Sequence, residues 1–470
     1  MWHEISFARG MPALFVPFKK KYGTPLRLLL FLAVAPFLAA NSLSAAQLPP
    51  HVTDQPLELH RYPLTEVGTE LGKFVDEKFT SLRNQGIEPF ANYWGTYLAN
   101  PIGGNQQGTA WAQLLVFGTE IHFDNYGWQG GSIFISATDF AGTNLSQKVG
   151  NVFTLSQAVV IKDFNLYSLY FKQAFWDDKL EFRLGRLSAG QVFASLPIMG
   201  LPVGGAVNGN PTSLFTNSPF HATGVASWAA YTKYLPTPET YVQAGIFQAS
   251  PQLGNPANHG VNFSIQRGDG ELLMFEAGWL PKFGATDAKT LTDKADGKKQ
   301  VVPANPGLPG QYTFGAYYSN YTFATFSGGV EHNTYGFYAQ AQQMLWRSAA
   351  NSNHTFTVWG GLTYSPQEEI ALLPLMGYGG VVWQGLIPTR DKDSALLNYY
   401  IGGFSSSYAR QQAQAGAGWA TTETVLEASY CIQLAENFQF QPDLQWVINP
   451  GGFSGIPNAL VVGFQVSALF

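Results

Sequence analysis

Between Gln439 and Ile448, polar and apolar residues take strict turns: Gln439, Gln441, Asp443 and Gln445 alternate with Phe440, Pro442, Leu444, Trp446 and Ile448. Successive side chains of a strand point to opposite faces, so this period of two predicts a strand with one wet side and one oily side. The period returns from Tyr335 to Trp346, where Phe337, Ala339 and Ala341 alternate with Tyr338, Gln340 and Gln342. It closes the chain as well, with Leu460, Val462, Phe464, Val466 and Phe470 set against Val461, Gly463, Gln465 and Ser467. About sixteen such segments begin near residues 90, 111, 131, 165, 179, 222, 239, 271, 311, 334, 354, 378, 394, 423, 438 and 458; their boundaries admit fourteen to eighteen.

A soluble β-sandwich also alternates, but it needs far fewer strands per domain. A β-propeller needs a repeat at ~40–50 residues, which the sequence lacks. Charged residues are 12% of the chain, about half the usual ~25%, while Gly numbers 50 and aromatics reach 15%. Mean hydropathy is −0.04, far too low for a bundle of spanning helices. After the N-terminal region no run of 18 or more apolar residues occurs. The reading is all-β: a transmembrane antiparallel barrel of about sixteen strands over residues 89–470. Tight turns are expected at Trp176-Asp177-Asp178-Lys179 and Ala435-Glu436-Asn437, and long loops at Ser188–His221 and Ala285–Gly310. The first loop is expected to fold into the pore and narrow it, with Phe193, Leu196, Ile198, Met199, Leu201 and Val203 packing against a wall. Short turns on one rim and long loops on the other are the habit of outer-membrane barrels.

The N-terminus fits an export leader over residues 1–46. Lys19, Lys20 and Lys21 precede an apolar core from Leu26 to Ala40, and Ser44 and Ala46 stand at −3 and −1 of a cut before Gln47. Translation could begin at Met1 or Met11. Residues 47–88 read as a periplasmic extension with a helix over 69–84, where Leu71, Phe74, Val75, Lys78 and Leu82 recur at helical spacing before Gly86. Removing residues 1–46 takes away five basic residues and one acid, so the net charge moves from −5 to −9. No basic patch for nucleic acid remains. Cys431 is the single cysteine, so no intrachain disulfide can form.

No motif for catalysis, phosphate cradling or a metal is present, and no cofactor is expected. Glu120, His122 and Asp124 share one strand face and read as polar residues on a wet wall. The hairpin from Asn165 to Leu187 is more informative. Tyr167, Leu169, Phe171 and Phe175 are expected on one face, with Ser168, Tyr170 and Lys172 on the other. On the return strand Phe182 and Leu184 alternate with Glu181 and Arg183. With Asp177-Asp178 as a two-residue turn, Lys172 lies opposite Arg183 and Glu181 is diagonal to it. A charge at the lipid midplane costs ~2–4 kcal/mol, so these residues belong in the lumen, as selecting groups or as braces. By alternation the pore-lining candidates are Tyr170, Lys172, Glu181, Arg183, Gln340, Gln342, Glu427, Gln439, Gln441, Asp443 and Gln445.

Three stretches resemble the carbohydrate-selective porin family of OprB type. They are Gly380–Pro388 with Arg390-Asp391-Lys392-Asp393-Ser394, the closing strands Glu423–Tyr430, Gln441–Gly452 and Asn458–Val461, and Leu180–Leu187. The likeness runs from about residue 70 to the end, but residues 188–310 depart from it. It implies a barrel of roughly sixteen strands that passes neutral sugars passively, seated among outer-membrane lipids and lipopolysaccharide. The final strand ending in Phe470 would be read by the barrel-assembly machinery. The competing readings are an outer-membrane barrel hydrolase and a general diffusion porin without sugar preference. The leader predicts a mature chain that starts at Gln47; intact-mass analysis of membrane-fraction protein checks it, and retention of residues 1–46 would refute it.

Overall fold

The computed structural model describes residues 80–158, 164–207, 209–286, 289–292, 299–302 and 305–470. The leader at 1–46 lies outside the described residues, as does the extension up to residue 79. Of the helix expected over 69–84, only the last turn, residues 80–83, is described, and it is helical.

Sixteen long strands follow: β1 (Ile87–Ile102), β2 (Gly108–His122), β3 (Gly131–Gly142), β4 (Phe164–Phe175), β5 (Leu180–Leu187), β6 (Ser227–Thr237), β7 (Thr240–Ala249), β8 (Gly270–Trp279), β9 (Leu308–Ser319), β10 (Thr334–Arg347), β11 (Thr355–Tyr364), β12 (Leu375–Gln384), β13 (Ser394–Gly403), β14 (Thr422–Ala435), β15 (Phe438–Ile448) and β16 (Ala459–Leu469). The strand starts read from the alternation lie close to these; the largest gap is at β6, expected near residue 222 and beginning at Ser227. Each strand pairs antiparallel with the next, and β16 returns to β1 from Asn92↔Leu469 to Ile102↔Leu460. The Ala91 and Phe470 main chains exchange both hydrogen bonds at 2.9 Å, so the last residue helps seal the ring. Closure leaves no edge strand, which is what lets a sheet span lipid.

Alternation decides the two faces. Leu184 (64% exposed), Leu397 (58%), Phe314 (55%) and Leu444 (45%) point outward. Their neighbours in sequence turn inward and are covered. Exposed aromatics gather in two belts, with Phe175, Phe182, Trp279, Trp346 and Trp383 near one rim and Trp111, Phe164, Trp228, Tyr335 and Tyr364 near the other. Two such belts mark the polar boundaries of a bilayer.

Three local readings need correction. Tyr167 does not share the lipid face of Leu169 and Phe171. The β3–β4 register steps from Ser136↔Ser168 to Ala137↔Leu166, which leaves Tyr167 as a bulge residue. Its buried hydroxyl lies 3.1 Å from Ser188 Oγ. The β4–β5 turn has three left-handed residues, Trp176, Asp177 and Asp178, rather than two, yet the Lys172↔Arg183 pairing is as expected. Finally, the long link from Leu280 to Gly307 leaves the short-turn rim, because β8 ends there, on the rim where β1 begins and β16 ends. It carries a small hairpin, Lys289–Thr292 with Lys299–Val302. On the same rim, the hydrogen bond from His354 Nε2 to Asp391 Oδ1 (2.7 Å) holds the Asp391 carboxyl below its usual range.

An arginine at the outward, mid-strand Leu444 should lower barrel stability by ~2–4 kcal/mol, whereas one at Trp383 in the belt should cost ~0–1 kcal/mol. Denaturant titration of the two variants in lipid vesicles measures the difference; equal costs would contradict the assignment of faces.

Candidate pore lining

Two loops from the long-loop rim turn into the barrel. The larger spans residues 188–226 between β5 and β6. Ser188 and Gln191 cap its first turn reciprocally, and Phe193, Leu196, Met199 and Val203 are almost wholly buried. This matches the expectation that its apolar members pack on a wall. Phe193 clusters with inward-facing Leu272, Met274, Tyr317 and Tyr338, and Leu196 and Met199 cluster with Met376, Tyr378, Leu396 and Tyr400. The smaller loop, between β3 and β4, was missed in the sequence. Its Leu145, Val149, Phe153 and Leu155 are buried in the same interior. The signal was available: Asn144 caps the turn at Ser146, with apolar residues spaced through an otherwise polar segment.

A loop crossing a lumen has no neighbouring strand, so its backbone N–H groups need other acceptors. Wall carboxylates supply them. Glu276 on β8 accepts from Ala194 N and the Tyr338 hydroxyl through Oε2, and from the Tyr241 hydroxyl and Gln243 Nε2 through Oε1, all within 2.7–2.9 Å. Glu427 on β14 accepts from Val203 N (2.7 Å) and Gly204 N (2.9 Å), and from the Tyr400 hydroxyl. Glu423 accepts from Val152 N, Phe153 N (2.7 Å) and Gly451 N, so it ties the smaller loop to the β15–β16 connection. Hydrogen bonds to a charged acceptor contribute ~1.5–3 kcal/mol each against ~1 kcal/mol for neutral pairs. Glu276 and Glu423 were not among the sequence candidates. Glu276 stands in phase with inward Leu272 and Met274, which was the legible clue.

All eleven sequence candidates lie on the inward face, but in different settings. Gln340, Glu427, Gln441, Asp443 and Gln445 are buried. Gln340 accepts from the Tyr378 hydroxyl, Gln441 donates to Leu201 O, and Gln445 donates to Leu155 O and to Asp443. Gln342 accepts from Ile198 N, and Gln439 bonds Gln433. The remaining four form a patch on the β2–β6 wall. Arg183 donates to Glu181 at 2.8 Å and lies between the rings of Tyr170 and Tyr231, 5.3 and 5.4 Å from their centroids. Lys172 pairs with Glu120, which also accepts from Ser132. The side chains keep partial exposure: Lys172 and Glu181 22% each, Arg183 11%. His122 sits 3.6 Å from Glu88, and no metal-suited cluster occurs among the described residues.

Replacing Glu427 by Leu strands the Val203 and Gly204 amides, while the amide oxygen of Gln can still accept from both, because both reach the same Oε1. Leu should therefore loosen the larger loop, raising single-channel conductance and its noise, and Gln should do so much less. Planar-bilayer recordings test this; identical traces for parent and Glu427→Leu would show the clamp to be idle.

Comparison with known proteins agrees with this architecture. Porin B of Pseudomonas aeruginosa is 24% identical over 433 residues, 84% of this chain and 89% of that one. The putative porin QuiX of Acinetobacter baylyi is 22% identical over 68% of this chain and 70% of its own length. The high-pH structure of Pseudomonas putida OprB superposes with a TM-score of 0.73 at 20% identity, covering 84% of this chain and 96% of that one, a likeness of fold. The profile of the carbohydrate-selective porins matches residues 107–470, and the chain belongs to that family, the OprB family.

Proposed function

We propose that Lys172, Glu181 and Arg183, backed by the buried Glu120, Tyr170 and Tyr231, meet neutral, monosaccharide-sized sugars as they pass. The chain itself is an outer-membrane carbohydrate porin, a channel and not an enzyme. The observation that carries the proposal is a contrast in access. Glu276, Glu423 and Glu427 are shut behind the inner loops, while Lys172, Glu181 and Arg183 stay partly open. A guanidinium offers five fixed donors to adjacent hydroxyls, and carboxylates accept from them. Held contacts must stay weak, since a solute must also leave. In this reading the buried Gln340, Glu427, Gln441, Asp443 and Gln445 shape the passage by fixing the loops, and Gln342 and Gln439 border it. We further propose that residues 1–46 direct export, that residues 47–88 form a periplasmic extension, and that the strand ending in Phe470 is the segment recognised during assembly into a lipopolysaccharide-bearing membrane.

Arg183→Ala should lower the saturable part of sugar flux and shift ion preference away from anions. Glu181→Gln should shift it toward anions, since it removes a negative charge from the same wall. Liposome swelling with a sugar panel and bilayer reversal potentials read both effects. If the two variants behave like the parent, the ion pairs only brace the wall; if swelling follows solute size alone, the pore has no sugar preference.

A further inference from the structure

The strand register leaves a local gap in the barrel wall. β5 pairs with β4 only as far as Leu169↔Arg186 and ends at Leu187, whereas β4 continues to Phe164. Along that stretch β4 has β3 on one side and no strand on the other. An unpaired edge in a membrane-spanning wall would turn peptide groups into lipid. A segment of the β7–β8 loop occupies the gap. Leu166 N donates to His259 O at 2.9 Å, and the His259 ring Nδ1 lies 3.0 Å from Phe164 O. Gly260, at a φ of +71°, passes so near that an added Cβ would sit 2.1 Å from Leu166 O, an approach open only to glycine.

The segment then crosses the loop-side ends of β5, β6 and β7 on the outside of the barrel. Arg186, Trp228 and Gln248 stand at outward positions of those three strands by alternation. They donate to three successive carbonyls: Arg186 Nη1 to Asn262 O (3.1 Å), Trp228 Nε1 to Phe263 O (2.9 Å) and Gln248 Nε2 to Ser264 O (3.1 Å). Arg186 also lies 5.0 Å from the centre of the Phe263 ring and is buried, so a guanidinium on the outer wall is kept from lipid. With these carbonyls bonded to the wall, Val261 (57%), Phe263 (41%) and Ile265 (72%) stay exposed. No Asp, Glu, Lys or Arg occurs from His259 to Gln266. The apolar row continues the outward surface of Leu169, Leu184, Ile246 and Leu273 on the neighbouring strands. Three side chains by themselves fall short of the ~800 Å² that each partner gives to a stable protein interface. We propose that residues 259–267 form a wall-filling strap that closes the edge of β4 and immerses Val261, Phe263 and Ile265 in the acyl chains of the leaflet at the long-loop rim.

Spin labelling of the full chain in phosphatidylcholine vesicles tests the assignment. In a Cys431→Ser background, nitroxides are attached through Val261→Cys and Ile265→Cys, and through Gln414→Cys, an exposed site on the β13–β14 loop, as the water-facing control. Molecular oxygen concentrates in hydrocarbon, whereas a neutral nickel chelate stays in water. Relative to the Gln414 site, the Val261 and Ile265 sites should show a several-fold higher ratio of oxygen to chelate access. Chelate access equal to that of the control would put the strap in water, and low access to both agents would mean that protein, such as a second copy, covers it; either result overturns the proposal. Gly260→Val should force the strap off Leu166, so that the Ile265 label becomes more mobile and its oxygen-to-chelate ratio drops several-fold. An unchanged spectrum and ratio would overturn the wall-filling role. Resistance to unfolding in cold SDS verifies each barrel, and should Gly260→Val fail to assemble, the two accessibilities without it decide.

Discussion

The interior of this barrel depends on backbone amides of inner loops being accepted by carboxylates on the wall. Sixteen strands enclose a lumen wide enough for an aqueous channel unless something fills it. Here two loops fill much of it, and a loop in that position carries peptide groups with no strand beside them. Glu276, Glu423 and Glu427 answer this need from three places on the circumference, each taking one to three loop N–H groups. Each of the three carboxylates accepts from at least three donors. Hydroxyls from Tyr241, Tyr338 and Tyr400 complete two of the three sites.

Packing then divides the interior. One apolar cluster joins the smaller loop and the middle of the larger one to strands β11–β16, β1 and β2, and another joins the two ends of the larger loop to β1 and β3–β10. Side chains that alternation marks as wet therefore have two fates. Gln441, Asp443 and Gln445 are covered and structural. Lys172, Glu181 and Arg183 lie where the loops leave the wall partly open, and aromatic rings flank the guanidinium rather than lipid.

What was legible from residues was local. A two-residue period with amides on one side and Leu, Phe and Trp on the other determined the strands, their faces and their number to within two, because a one-residue slip would turn polar side chains into lipid. The Lys172↔Arg183 register followed from turn chemistry, and even the burial of the larger loop was foreshadowed by Phe193, Leu196 and Met199 amid glycines and prolines. Tyr167 was misplaced because a bulge breaks the period without any mark in composition. The Leu280–Gly307 link was put with the long loops because length alone does not tell one rim from the other.

Only the tertiary structure decided which inward groups face a passage and which hold a loop. Ring closure brings β8, β10 and β14 around one interior, so Ala194, Ile198 and Val203 reach Glu276, Gln342 and Glu427 across long sequence separations. It also gave Lys172 a partner, Glu120, two strands away. The sequence determines the wall because side-chain alternation is a property of each strand alone. The lumen is a property of distant strands and loops meeting, and no local pattern encodes which of them meet.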